Sequence, residues 1–115
     1  MRILTLIGEY GYRKGETFSG FVCFCHVDKE ETKEKIITIA SKLASFSNAS
    51  DIILVPFAHL YEGVAEPKSA QNILNQLASD LRAMGKKVIG IPFGVVKELH
   101  LDVLADNSAI RFLNF

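Results

Sequence analysis

The chain has 115 residues, with thirteen basic side chains balancing thirteen acidic ones, 49% hydrophobic residues and 23% charged. That length suits one domain with a real core, and the composition excludes the disordered and fibrous classes. Balanced charge provides no long-range positive field for nucleic acid, so any such contact has to be local or supplied by another part of a larger protein.

The first strand is predicted over residues 2 to 7, β-branched and leucine-rich, ended by Gly8. It turns polar too early for a secretory signal, and no apolar run approaches the roughly 18 residues that cross a bilayer. The expectation is a soluble, cytoplasmic protein without membrane contact. Glu9 to Ser19 is rich in glycine and charge and reads as a loop or loose hairpin arm. Gly8, Gly11 and Gly15 fit no phosphate-loop spacing, so ATP chemistry is not encoded here.

A second strand is expected from about Gly20 to Val27. It carries the only cysteines, Cys23 and Cys25, which share a face at strand spacing where sulfurs two residues apart are poorly placed to bridge. His26 points the other way, so the cysteines read as buried structural thiols, with no metal and no other cofactor expected. Asp28 is a plausible N-cap for a helix from about Lys29 to Phe46, with Ile36, Ile39, Ala40 and Leu43 as its buried stripe. Its lysines alternate with glutamates and read as an ordinary solvated face.

The third strand is expected over Asp51 to Val55, apolar enough to be covered on both faces. An irregular loop follows from Tyr61 to Glu66. Pro67 then opens a second helix whose apolar positions, Ala70, Ile73, Leu74, Leu77, Leu81 and Met84, repeat at helical spacing until Gly85 stops it. Strand four is Lys87 to Ile91, strand five Val95 to Val103, and a last strand runs from Ala109 to Phe115. The order β-β-α-β-α-β-β-β indicates an α/β domain spanning residues 1–115, with a mixed sheet and both helices on one face. Two helices leave the other face open, so the terminal strands either fold over it as a second β layer or meet another subunit.

Two of these strands break at the same dipeptide. Ile52-Ile53-Leu54-Val55 runs into Pro56-Phe57-Ala58-His59, and Val88-Ile89-Gly90-Ile91 into Pro92-Phe93-Gly94-Val95-Val96-Lys97. Proline cannot donate a ladder hydrogen bond, so each strand ends there and a turn follows. With a helix between them, a right-handed crossover would bring both turns to one sheet edge, beyond the carboxyl ends of the strands where open α/β sheets bind ligands. His59 and Lys97 become candidate neighbours. Histidines 26 and 100 read as structural or surface residues.

These two motifs, the Ala65-x-Pro67-x-x-Ala70-x-x-Ile73-Leu74 pattern between them and, more weakly, Glu9-Tyr10 give a chain that resembles the archaeal threonyl-tRNA synthetase N-terminal editing domain over residues 1 to 104. That domain is itself similar to D-aminoacyl-tRNA deacylases. The resemblance implies a three-layer α/β/β fold, a homodimer, and hydrolysis of serine wrongly attached to threonine tRNA, with the catalytic part of a synthetase as a further partner. It implies Lys97 and His59 as catalytic residues, and Glu9, Tyr10, Pro56, Phe57, Ala58, Pro92, Phe93 and Gly94 around the seryl-adenosine at the tRNA 3′ end. Glu9 and Tyr10 would orient the amino group there, or simply form a solvent-facing strand end. Three features depart from the family pattern: Val95-Val96 where aromatic residues are usual, Asp106-Asn107-Ser108 where a carboxylate segment is usual, and a shorter loop after the first strand. They keep open a second reading, a non-enzymatic tRNA-binding or dimerisation module of the same fold. A stand-alone D-aminoacyl-tRNA deacylase is a third.

Overall fold

The computed structural model describes residues 1–13, 16–28, 33–48, 50–60, 62–93, 99–104 and 110–115. The elements in chain order are β1 (Arg2–Arg13), β2 (Glu16–His26), α1 (Lys33–Ser47), β3 (Ile52–Pro56), α2 (Pro67–Ala83), β4 (Val88–Gly90), β5 (His100–Val103) and β6 (Arg111–Asn114). They build one six-stranded mixed sheet ordered β4-β3-β2-β1-β5, with β6 also on β1. β2, β3 and β4 are parallel to one another, and β1 is antiparallel to β2, β5 and β6. No helix among the described residues is long and apolar enough to cross a membrane.

Alternation along the strands sorts the core into two layers. Ile3, Phe21, Cys23, Cys25, Ile52 and Leu54 face α1 and α2, against Ile36, Ile39, Leu43, Leu74, Leu77 and Leu81. Leu6, Tyr10, Tyr12, Val22, Phe24, Ile53 and Val55 form a second cluster to which no helix contributes. Both helices therefore share one face, as the order of elements indicates. α2 begins with Pro67 in its first turn, where the missing N–H costs nothing. It ends at Gly85 with φ +85°, where Lys86 N–H donates to Leu81 O and Gly85 N–H to Arg82 O, a Schellman closure.

Of the two readings of segment 9–19, loop or loose hairpin arm, the described residues 9–13 and 16–19 form the hairpin arm. β1 continues through it and pairs with β2 down to Arg13 and Glu16. In a straight hairpin Tyr10, which faces Phe18, would lie six residues or about 20 Å from Phe24. Their rings instead meet edge-on with centroids 5.7 Å apart, so the hairpin folds back over its own outer face. The facing pair Gly8 and Gly20 sits between these rings, leaving that face of the hairpin without side chains at the bend. A Cβ on Gly8 would stand 2.1 Å from the Asp102 carbonyl oxygen of β5, and one on Gly20 2.4 Å from that of Asp51. The outer layer is thus the same sheet bent over itself, with β5 hydrogen-bonded along its distal half.

The remaining boundaries differ in detail. β5 as described covers only His100–Val103, and residues 95–98 of the expected strand lie outside the described residues. β6 closes against the opening of β1, and its Arg111 guanidinium lies 4.4 Å from the Phe46 ring at the end of α1. Asp28, expected as a helix cap, accepts from the Met1 ammonium at 2.9 Å and from Arg2 Nη1 at 2.5 Å; the residues it would cap lie outside the described residues. Partial burial pushes the Asp28 carboxyl up. The hydrogen bond from the ammonium, together with the charges of that ammonium, Arg2 and His26, outweighs burial and holds it below its ordinary 3.8.

Two outcomes follow. Gly8→Ala drives a methyl into backbone that cannot swing away, a loss of about 1–3 kcal/mol, or about 4–8 °C of Tm for each kcal/mol. Gly90→Ala, with nothing within 4 Å of its Cβ, leaves the thermal midpoint nearly unchanged by circular dichroism. Because the folded Asp28 carboxyl titrates below its unfolded value, its contribution is complete above pH 3.8 and disappears as pH falls through the folded value. Asp28→Asn is therefore less stable than the parent at neutral pH, and urea unfolding shows the difference shrinking in acid.

Candidate functional site

The parallel registers decide where the two Pro-Phe turns go. Cys25 faces Pro56 across β2 and β3, and Leu54 faces Gly90 across β3 and β4. Two residues beyond the last pair, Pro92 falls beside Pro56. Phe57 N–H donates to Cys25 O and Ile91 N–H to Leu54 O, both at 2.9 Å, so each chain leaves the sheet still tied to its neighbour.

Between these exits lies a cavity of about 330 Å³. Pro56, Phe57, Ala58 and His59 line it from the first turn, Pro92 and Phe93 from the second, and Cys25 and Val27 from the end of β2; Val64, Ala70 and Leu74 close the side toward α2. It sits beyond the carboxyl ends of three parallel strands, the position where such sheets take ligands. Its size is within the range of small-molecule pockets.

The loop that carries His59 is strapped to β2. Ala65 N–H donates to Val27 O at 3.0 Å, and His26 Nε2 donates to Gly63 O at 2.7 Å, with Gly63 at φ +75°. His26 is fully buried, and its Nδ1 has no hydrogen-bond partner among the described residues. Sequence reasoning placed this residue among the structural or surface histidines and missed that it holds the wall of the cavity. A histidine at the end of an otherwise apolar strand was the available signal.

His59 itself is solvent-exposed, its ring edge-on to Phe57 at 5.3 Å. Phe57 meets Phe24 edge-on at 5.4 Å, and Phe24 meets Tyr10. An aromatic chain thus runs from the cavity rim into the outer core. Tyr10 is at its far end and only 1% exposed, so it supports this stack rather than lining the cavity. Burial, then the neighbouring Tyr12, raises its phenol above the ordinary value.

Glu9 does not line the cavity either. It borders a separate shallow hollow with Ser19 and Asp102, and its carboxylate lies 3.2 Å from His100 Nε2. The cause is the bent hairpin: residues 9 and 10 are not at a strand end but inside the β1 ladder, paired to β2 and β5. Pro56, Phe57, Ala58, His59, Pro92 and Phe93 are brought together. Gly94 and Lys97 lie outside the described residues, as do Val95, Val96 and Asp106-Asn107-Ser108.

Chemically the cavity is an apolar recess with an imidazole at its mouth. Burial pushes the Cys25 thiol up to about 12, against a smaller opposing effect from the Val55 backbone and the N-terminal charge, so it stays protonated and non-nucleophilic at neutral pH. The described residues contain no group of three His, Cys, Asp or Glu side chains placed to hold a metal ion.

Comparison with known proteins agrees with this architecture. A threonine–tRNA ligase of Methanosphaera stadtmanae is 35% identical over 86 residues, covering 70% of this chain and 14% of that protein. One of Pyrococcus horikoshii is 33% identical over 91 residues, covering 74% and 15%. One of Pyrococcus furiosus is 30% identical over 95 residues, covering 77% and 15%. The chain thus spans only 14 to 15% of the length of these relatives. Among solved structures, the c-Myc DNA Unwinding Element Binding Protein superposes with a TM-score of 0.77 over 99% of this chain and 97% of that one. At 12% identity that is a likeness of fold alone. The family model of the archaea-specific editing domain of threonyl-tRNA synthetase matches residues 9–110, and this chain belongs to that family.

Proposed function

We propose that this domain is an aminoacyl-tRNA deacylase that hydrolyses L-seryl-tRNA(Thr), working with the catalytic part of a threonyl-tRNA synthetase. The observation that carries the reading is the convergence of both Pro-Phe turns and His59 on one recess at the carboxyl end of the parallel strands, in a member of an editing family. Synthetases need editing because one methyl group is worth only about 1–3 kcal/mol in binding. A small recess that admits a seryl group and excludes the extra methyl of threonine supplies the second sieve.

Ester hydrolysis requires a positioned water and a positive group where oxyanion charge develops. The proposal assigns that role to Lys97, five residues after Pro92 in sequence. A lysine amine in a partly dry site also accepts a proton when desolvation favours its neutral form. His59, at the rim and in solvent, is suited to donating to the ester or ribose rather than to carrying the whole proton transfer. The apolar walls formed by Phe57, Pro92 and Phe93 suit the faces of the terminal adenosine.

The test is deacylation by the purified chain. Seryl-tRNA(Thr) is expected to react about 10–200-fold faster than threonyl-tRNA(Thr), Lys97→Met to be at least about 100-fold slower than the parent, and His59→Ala to lose less. Equal rates for parent and Lys97→Met remove that assignment. Absence of turnover in the parent supports the second reading, a non-enzymatic tRNA-binding or dimerisation module, for which Val95-Val96 and Asp106-Asn107-Ser108 are the sequence grounds. Selective reaction of D-aminoacyl esters supports the stand-alone deacylase.

The same proposal includes a homodimer. Leu101, Leu104, Ile110 and Phe112 on and beside β5 and β6 are 41–57% exposed, a concentration of apolar surface that a second copy would cover. Light scattering is expected to give twice the monomer mass, reduced to the monomer by Phe112→Glu; a monomeric parent rejects the dimer.

A further inference from the structure

A second hollow, of about 280 Å³, adjoins the candidate cavity and shares Leu74, Pro92 and Phe93 with it. Its chemistry differs. Leu54, Ala78 and Ile91 give it an apolar floor, while Gln71, Asn75 and Arg82 supply two carboxamides and a guanidinium. Positions 71, 75, 78 and 82 are four, three and four residues apart, so they form a single stripe along α2.

All three polar side chains are solvent-exposed, and Gln71 and Asn75 make no hydrogen bond among the described residues. Arg82 Nη2 donates to Val88 O at 2.9 Å, which fixes the guanidinium at the edge of β4 with other N–H groups left over. No carboxylate lines the hollow among the described residues. From Leu74, in the shared wall, to Arg82 is eight residues of helix, or about 12 Å.

We infer that this hollow is a subsite for the nucleotide preceding the terminal adenosine of the RNA 3′ end; the assignment rests on the deacylase reading above. An aromatic ring with an apolar floor takes the face of an unstacked base, carboxamides pair with the donors and acceptors on its edge, and a guanidinium takes the phosphate. The order along α2 matches a strand entering past Arg82 with its last sugar beside His59. A chain of zero formal net charge would then hold its RNA through a few contacts next to the reacting ester.

The experiment compares seryl-tRNA(Thr) with seryl-adenosine, an ester that lacks the preceding nucleotide and its phosphate. Asn75→Asp keeps the shape of an exposed side chain and adds a negative charge. It is expected to raise KM for the tRNA about tenfold with little change in kcat, and to leave seryl-adenosine hydrolysis within twofold of the parent. Gln71→Glu is expected to act in the same direction, and it stands in for Arg82→Gln should loss of the Val88 contact lower the melting temperature. Equal effects on both substrates, or on neither, overturn the subsite.

If the parent hydrolyses neither substrate, the deacylase reading fails by itself, and binding decides the subsite separately. An oligoribonucleotide that ends in cytidine-cytidine-adenosine and carries no aminoacyl group is expected to shift the NMR side-chain amide signals of Gln71 and Asn75. Shifts confined to the His59 cavity, or no binding, reject it.

Discussion

The molecule depends on three parallel strands that stop in step. β2, β3 and β4 are held in register by backbone hydrogen bonds, and β3 and β4 run into prolines that cannot extend the ladder. Stopping adjacent strands at the same level makes a ledge, and the chain has to turn away from it twice. The recess between those turns exists because the ladder ends there. The long run of α2 over the ledge closes it on one side, with Ala70 and Leu74 as the contact.

The other half of the molecule solves a different problem. A mixed sheet covered by two helices on one face leaves the other face wet unless something lies across it. Here the β1–β2 hairpin bends, and Tyr10, Tyr12 and Phe18 return toward Phe24 as a packed aromatic layer. The cost is that side chains are excluded where strands approach most closely, which is why Gly8 and Gly20 face each other there. The same stack reaches Phe57 and His59, so the packing of the outer layer and the rim of the recess are mechanically joined.

Polar groups are used sparingly around the recess. His26 anchors the Gly63 carbonyl, Cys25 remains a neutral thiol in the wall, and His59 stands in solvent at the mouth. Such a recess suits recognition by shape, with polar chemistry brought by a few groups at its edge. The polar stripe of α2 beside it adds the hydrogen-bonding capacity that the apolar recess lacks.

Local signals determined a good deal. The apolar periodicities, Pro67 and Gly85 placed α2 within two residues of its ends, and the repeated Val/Ile runs before Pro56 and Pro92 implied parallel strands and neighbouring turns, because each of these features acts through its own backbone. The family resemblance was likewise legible in the residues of those turns. What only the tertiary structure decided involves partners distant in sequence. Residues 9–19 read as a loop or loose hairpin arm by composition, yet residues 9–13 and 16–19 pair as strands despite glycine's poor strand preference, and the flanking Gly8 and Gly20 answer to carbonyls at Asp102 and Asp51. Glu9 left the candidate site for the same reason, and His26 entered it through a carbonyl 37 residues away. A side chain's partner across the fold is set by register and bend, and neither is written in the local pattern.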